Sequence, residues 1–216
     1  MRTRIAAKAF SLIVFLAAGP ALAESLVEGS IEAGKEMAAT CSACHGAEGI
    51  SVNPLWPNIA GQSATYIVEQ VTAFRDGASD PETAKRYDPL MSPQSMSLSD
   101  EDIRDLAVYF ESLPAAAQAV ADASTLSRAE KLYRGGDVEN GTAACLACHG
   151  PTGRGNPAAS YPALHGQHAV YTAKQLNDYA NGTRTSDGVT RVMRDIAARL
   201  SQEDIDALAS YVQGLR

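Results

Sequence analysis

Two runs in this chain have the residue types and spacing to do chemistry: Cys41-Ser42-Ala43-Cys44-His45 and Cys145-Leu146-Ala147-Cys148-His149. In a Cys-x-x-Cys-His run the two thiols can add across the vinyl groups of a porphyrin as thioethers, and the adjacent histidine can ligate its iron. The short gap lets one turn of backbone span the macrocycle edge and aim the imidazole at the metal. The two runs use all four cysteines, so none remains for a disulfide. Zinc knuckles also pair cysteines, but they have no use for a histidine directly after each pair. A thioredoxin-like dithiol needs only one pair, beside a strand-helix pattern that this sequence lacks. The expected cofactors are two covalently bound haem c groups, attached at Cys41, Cys44, Cys145 and Cys148, with His45 and His149 as iron ligands.

Each iron then needs a sixth ligand, or an open position if the chain is an enzyme. Of the five methionines, Met91 stands seven residues before Leu98-Ser99 and Met193 seven before Leu200-Ser201. Matched placement in two copies is what distal ligation requires. Met96 is the rival in the first half but has no counterpart in the second, and Met37 falls in the first helix. A thioether opposite a histidine raises the reduction potential relative to two histidines, and it fills the site. Such an iron suits outer-sphere electron transfer and has no place for a substrate. His165 and His168 lie in the second half only and read as solvated or hydrogen-bonding groups. Trp56 and Tyr161 precede repeated prolines and are expected near a haem edge. Tyr66 and Tyr171, or Gln70 and Gln175, could hydrogen-bond a propionate or simply pack helices.

The elements that must position these residues also come in two copies. Trp56-Pro57-Asn58-Ile59-Ala60-Gly61-Gln62 is answered by Tyr161-Pro162-Ala163-Leu164-His165-Gly166-Gln167, and Leu98-Ser99 with Asp102-Ile103 by Leu200-Ser201 with Asp204-Ile205. The chain is a tandem duplication. Residues 31–39 predict a helix leading into the first motif. Residues 64–76 predict another, with Ile67, Gln70, Val71 and Phe74 on one face and Gly77 as its stop. Ser99 with Asp102 forms a capping-box pattern ahead of Ile103, Leu106, Ala107 and Phe110, and Ser201 with Asp204 repeats it ahead of Ile205, Leu208, Ala209 and Val212. No stretch alternates as a strand would, so the fold class is all-α. Halves of this size have few large apolar side chains and thin cores. The haem faces are expected to complete them, leaving each half unfolded or molten without cofactor.

Residues 1–23 read as a secretory signal. Arg2, Arg4 and Lys8 form a basic start, residues 9–18 an apolar stretch too short to span a bilayer, and Ala21-Leu22-Ala23 a cleavage site. The expected organisation is a first domain at 24–113, an alanine-rich linker at 114–127 and a second domain at 128–216. Export to the periplasm fits covalent haem attachment.

Over the whole mature chain the sequence resembles the dihaem cytochrome c4 family, periplasmic two-domain electron carriers. The resemblance rests on both haem motifs, the two placed methionines and the run Gly166-Gln167-His168-Ala169-Val170-Tyr171-Thr172-Ala173-Lys174-Gln175-Leu176. It implies two class I cytochrome c folds with their haems facing each other across the domain interface. It also implies His45 with Met91 on the first iron and His149 with Met193 on the second. One departure is Ala129, where the first half has Gly34.

The formal charge of −7 becomes −10 once the three leader cations are removed, and all of the excess lies in the first half. An acidic end can steer toward a basic docking patch while the neutral end meets something else, and nucleic acid is an unsuitable partner for either. The expected function is electron carriage between redox proteins, from a quinol-oxidising complex to a terminal oxidase. Peripheral membrane association is compatible with that role. The nearest alternative is a dihaem subunit of a dehydrogenase such as a flavocytochrome; a dihaem peroxidase would need an open iron, which Met91 and Met193 argue against.

Overall fold

The computed structural model describes residues 25–216, so the leader read at residues 1–23 lies outside the described residues. The first half carries α1 (Ile31–Met37), α2 (Ala39–His45), α3 (Ala64–Ser79), α4 (Met91–Ser95) and α5 (Asp100–Ser112). The second carries α6 (Leu126–Gly135), α7 (Leu146–His149), α8 (Ala169–Ala180), α9 (Val192–Ala197) and α10 (Gln202–Gly214). Among the described residues there is no strand, only two isolated bridges, Asp137 with Thr142 and Asn156 with Tyr161. Nor is any helix among them long and apolar enough to cross a membrane.

The halves repeat one packing plan. Helix α1 lies on α5 and α3 lies on both α4 and α5; α6 lies on α10 and α8 on both α9 and α10. The apolar faces read from the sequence are the ones that pack. Ile103, Leu106, Ala107 and Phe110 are buried in the first half, and Ile205, Leu208, Ala209 and Val212 in the second. Both capping boxes form: the Asp102 amide donates to Ser99 Oγ at 3.1 Å and the Ser99 amide returns to Asp102 Oδ2 at 2.8 Å. Their copies, Asp204 to Ser201 and back, measure 3.2 and 3.1 Å. Each cap satisfies amides that the first turn of a helix leaves without partners, a contribution of about 1 kcal/mol.

Two helix boundaries depart from expectation. The helix read at 31–39 breaks at Ala38 and resumes as α2, so the first Cys-x-x-Cys-His run is itself helical. Helix α3 does not stop at Gly77 but continues to Ser79. Gly77 is buried there, and a side-chain carbon at this position would collide with the Arg86 carbonyl. The glycine therefore admits a close backbone approach and does not end the helix.

Gly34 and Ala129 differ for a similar reason. A methyl on Gly34 would overlap the Asp105 carbonyl, so α1 sits hard against α5. Ala129 is fully buried against its own neighbours, so α6 keeps room for one methyl. Both helices form despite the change.

The alanine-rich stretch at 114–122 is pinned along the second half. Gln118 Nε2 donates to the Gly166 carbonyl at 2.8 Å, Gln213 Nε2 to the Ala119 carbonyl at 3.0 Å, and the Asp122 amide to Ser210 Oγ at 2.6 Å.

Candidate haem sites

Each motif histidine is buried and held by one bond. His45 Nδ1 lies 2.9 Å from the Pro57 carbonyl and His149 Nδ1 lies 2.9 Å from the Pro162 carbonyl. A carbonyl can only accept, so in both rings Nδ1 carries the proton and Nε2 presents its lone pair. No hydrogen bond reaches Nε2 of either ring among the described residues. This is the arrangement in which a metal-ligating histidine has its tautomer and ring plane fixed from behind. Burial pulls both imidazoles below their ordinary pKa, and the proline carbonyls only partly oppose it. The rings are therefore neutral, as ligation requires. The prolines were legible as a repeat, but not the carbonyl contacts they make. The Tyr161 ring stands 6.3 Å from that of His149.

The structure separates the candidate methionines. Met91 opens α4, and Met193 lies in the first turn of α9; both are partly buried. Asp88 Oδ1 accepts from the Met91 amide at 3.0 Å, and Asp187 Oδ2 accepts from the Arg194 amide at 3.0 Å, so a carboxylate anchors the start of each helix. Met96 is 62% exposed, and Met37 packs against the first core. His168 is buried and donates through Nε2 to the Ser51 carbonyl at 2.9 Å, which takes that nitrogen away from any iron.

No disulfide joins any of the four cysteines. Burial pushes the Cys145 thiol up to about 11 and raises Cys41 as well, so neither is poised as a thiolate. Among the described residues no three His, Cys, Asp or Glu side chains cluster to hold a metal ion by themselves. That donor set suits thioether attachment to a group that brings its own iron, and not a zinc knuckle.

The sequence model of the cytochrome c family matches residues 31–114 and 136–216, one copy in each half. Cytochrome c4 of Stutzerimonas stutzeri is 45% identical over 189 residues, covering 87% of this chain and 90% of that protein. The chain belongs to the cytochrome c4 family. The crystal structure of reduced recombinant cytochrome c4 from Pseudomonas stutzeri superimposes with a TM-score of 0.85 at 44% identity, over 88% of this chain and all of that one. A thiosulfate dehydrogenase electron acceptor of Stutzerimonas stutzeri strain A1501 is 36% identical over 182 residues, covering 81% of this chain and 78% of that protein. As a cytochrome c4 relative with two class I domains, the chain is an electron-transfer cytochrome with two covalent haem c groups.

The interface between the halves fits a dihaem cytochrome of this family in a way the sequence did not reveal. Arg86 and Arg184 are 8% and 4% exposed, and neither has a carboxylate at ion-pair distance among the described residues. Arg86 donates to Gln70 at 2.6 Å and, across the interface, to the Tyr171 hydroxyl at 2.9 Å and Gln175 at 3.2 Å. Arg184 donates to Gln175 at 2.6 Å and across to the Tyr66 hydroxyl and Gln70, both at 2.7 Å. Burial opposes ionisation of the Tyr66 hydroxyl, yet Arg184 and Arg86 outweigh it and draw it below the usual phenol value. A guanidinium cannot shed its charge, and two buried ones without a counter-ion are costly. Haem brings ionised propionates, so this cluster has the composition to receive them. The sequence repeat marks the tyrosines and glutamines but not the arginines. Arg86 stands five residues before Met91 and Arg184 nine before Met193, so the duplication does not align them.

Proposed function

We propose that the chain is a periplasmic carrier that moves electrons singly from a membrane quinol-oxidising complex to a terminal oxidase. In this reading Cys41 and Cys44 hold the first haem, with His45 and Met91 on its iron. Cys145 and Cys148 hold the second, with His149 and Met193. The domains are 24–113 and 128–216, joined by 114–127. Bound haem supplies a one-electron couple at each site. The chain's own part is to fix one neutral nitrogen and one thioether per iron, exclude water with the apolar helix faces, and carry the buried cations that offset propionate charge. The observation that carries the proposal is the repeated Nδ1 to proline-carbonyl bond, which leaves Nε2 free for iron in both halves. Met91 and Met193, in matched places, would each take the remaining position on a bound iron, which suits outer-sphere electron transfer.

The test is an optical redox titration of the purified holoprotein with and without carbon monoxide. Two one-electron steps at positive potential, unmoved by the gas, are expected. A strongly negative step, or one that moves with carbon monoxide, would mean an open or differently ligated iron and would favour an enzyme instead.

A second reading has its own support. The likeness to a thiosulfate dehydrogenase electron acceptor suits a chain that takes electrons directly from a dehydrogenase. Co-purification with such an enzyme from the native host would decide for it.

A further inference from the structure

Behind each motif histidine lies a single peptide group, and the other half of the molecule grips its far side. The Pro57–Asn58 peptide accepts from His45 Nδ1 through its carbonyl at 2.9 Å and donates through its N–H to Gln167 Oε1 at 2.9 Å. The Pro162–Ala163 peptide accepts from His149 Nδ1 at 2.9 Å and donates to Gln62 Oε1 at 2.8 Å. Each glutamine closes a second bond to the same residue: Gln167 Nε2 donates to the Asn58 carbonyl at 2.8 Å and Gln62 Nε2 to the Ala163 carbonyl at 2.9 Å. An amide N–H can only donate and a carbonyl only accept, so the orientation of both carboxamides is determined by their partners. Gln62 and Gln167 stand at equivalent places in the duplication, so the crossed arrangement occurs twice.

We propose that Gln62 and Gln167 are positioning residues in trans: each sets the donor strength of the iron-ligating histidine in the opposite half, through the peptide between them. The inference rests on His45 and His149 being the iron ligands. Hydrogen bonds in a chain polarise one another, more so at low local dielectric. A peptide whose N–H is engaged by Gln Oε1 has a more negative carbonyl. That carbonyl draws harder on the Nδ1 proton and makes the imidazole a stronger ligand. An electron-rich ligand favours ferric iron, so the intact relay holds the potential down. The two haems are thus coupled by domain docking as well as by charge.

The experiment replaces each glutamine separately in the holoprotein, Gln167→Leu and Gln62→Leu, and follows both potentials by spectroelectrochemistry. The methionine methyl resonances in NMR assign each step to its haem. A crossed pattern is expected. Gln167→Leu raises the potential of the His45 haem and leaves the His149 haem where it was, and Gln62→Leu does the reverse. The Nδ1 proton resonance of the affected histidine moves in the direction of a weaker hydrogen bond. Gln167→Met and Gln62→Met, closer in shape, stand in where a leucine variant does not fold. A shift confined to the half that carries the replacement, an equal shift of both haems with an expanded scattering profile, or no shift at all would overturn the proposal. If instead wild-type NMR shows neither methionine nor histidine on an iron, it is the ligand assignment that fails.

Discussion

Arg184 of the second half donates to Gln70 Oε1 of the first at 2.7 Å, and Arg86 donates to the same oxygen at 2.6 Å. One neutral carboxamide oxygen thus stands between two buried guanidiniums. Like charges this close repel, and phenol and amide oxygens offset them only in part. Ionised haem propionates are groups of the charge that would complete the balance. Because each arginine bonds residues of both halves, its charge belongs to both sites. Removing it takes away positive potential that favours the reduced state. Arg184→Gln is expected to lower both potentials, and Arg184→Lys to restore most of the loss by returning the charge. Spectroelectrochemical titration of the two variants checks this; equal behaviour of Gln and Lys would show that the guanidinium only packs.

Met91 and Met96 make a sharper contrast in the fold than in the sequence. Met91 is partly buried at the start of α4, while Met96 is exposed just past its end. Met91→Ala should open the first iron, remove the charge-transfer band that marks methionine ligation of ferric haem, and allow carbon monoxide to bind. Met96→Ala should change neither. The ligand assignment for the first half fails if carbon monoxide binds the Met96 variant and not the Met91 variant.

The duplication explains how much of this was legible. Cys-x-x-Cys-His, the capping boxes and the apolar faces are local patterns, and each was readable because it recurs at fixed spacing. The role of Gly77 is not legible in the helical pattern because it depends on the chain folding back, nine residues later, to bring the Arg86 carbonyl against it. Arg86 and Arg184 were missed because the loops that carry them differ in length, so neither marks the other. The Gln62 and Gln167 contacts were out of reach for another reason: the residues were visible as a repeat, but their partners lie in the opposite half. Repeats expose what each domain does alone. What the domains do to each other appears only when they are docked.

Gly34 offers a packing test. A methyl there would meet the Asp105 carbonyl and the Tyr109 side chain, so α1 would have to back away from α5. Overpacking of this kind costs about 1–3 kcal/mol, more than the roughly 1 kcal/mol of helix propensity that alanine restores. Gly34→Ala should lower the denaturant midpoint of the holoprotein. Ala129→Gly should also destabilise, by about 1 kcal/mol from propensity plus the lost buried methyl. A stabilised Gly34→Ala would show that α1 has room to move.

The second capping box gives a pH dependence. Burial pushes the Asp204 carboxyl up, but the Ser201 hydroxyl and the Arg128 guanidinium outweigh it and hold the group below its usual value. A folded-state pKa lowered in this way means that the unfolded chain binds the proton more readily. The carboxylate therefore contributes stability at pH above the ordinary carboxylate value, and that contribution is lost as pH falls through the lowered one. Ser201→Ala removes one of the groups that lower it and should shift acid unfolding to higher pH, with a loss of about 1 kcal/mol at neutral pH. Circular dichroism along an acid titration measures both. An unchanged acid midpoint would mean that Arg128 and the Ser201 amide suffice to hold the carboxylate.

The charge imbalance predicts which haem accepts its electron at lower potential. Residues 24–113 carry a net charge of −10, while residues 114–216 are balanced. Within the second half, Arg128, Arg134, Lys174, Arg191 and Arg194 are each paired with a carboxylate of that half. Negative charge near an iron stabilises its ferric form, and each screened surface charge shifts a one-electron couple by on the order of 10 mV. The buried arginines are shared between the sites and do not cancel the difference. The haem on His45 should therefore titrate below the haem on His149, and the gap should narrow as salt screens the surface. Resolving the steps through Met91 and Met193 variants at low and high ionic strength measures both effects. A His149 haem that titrates lower would show that local burial and hydrogen bonding at each histidine outweigh the surface field.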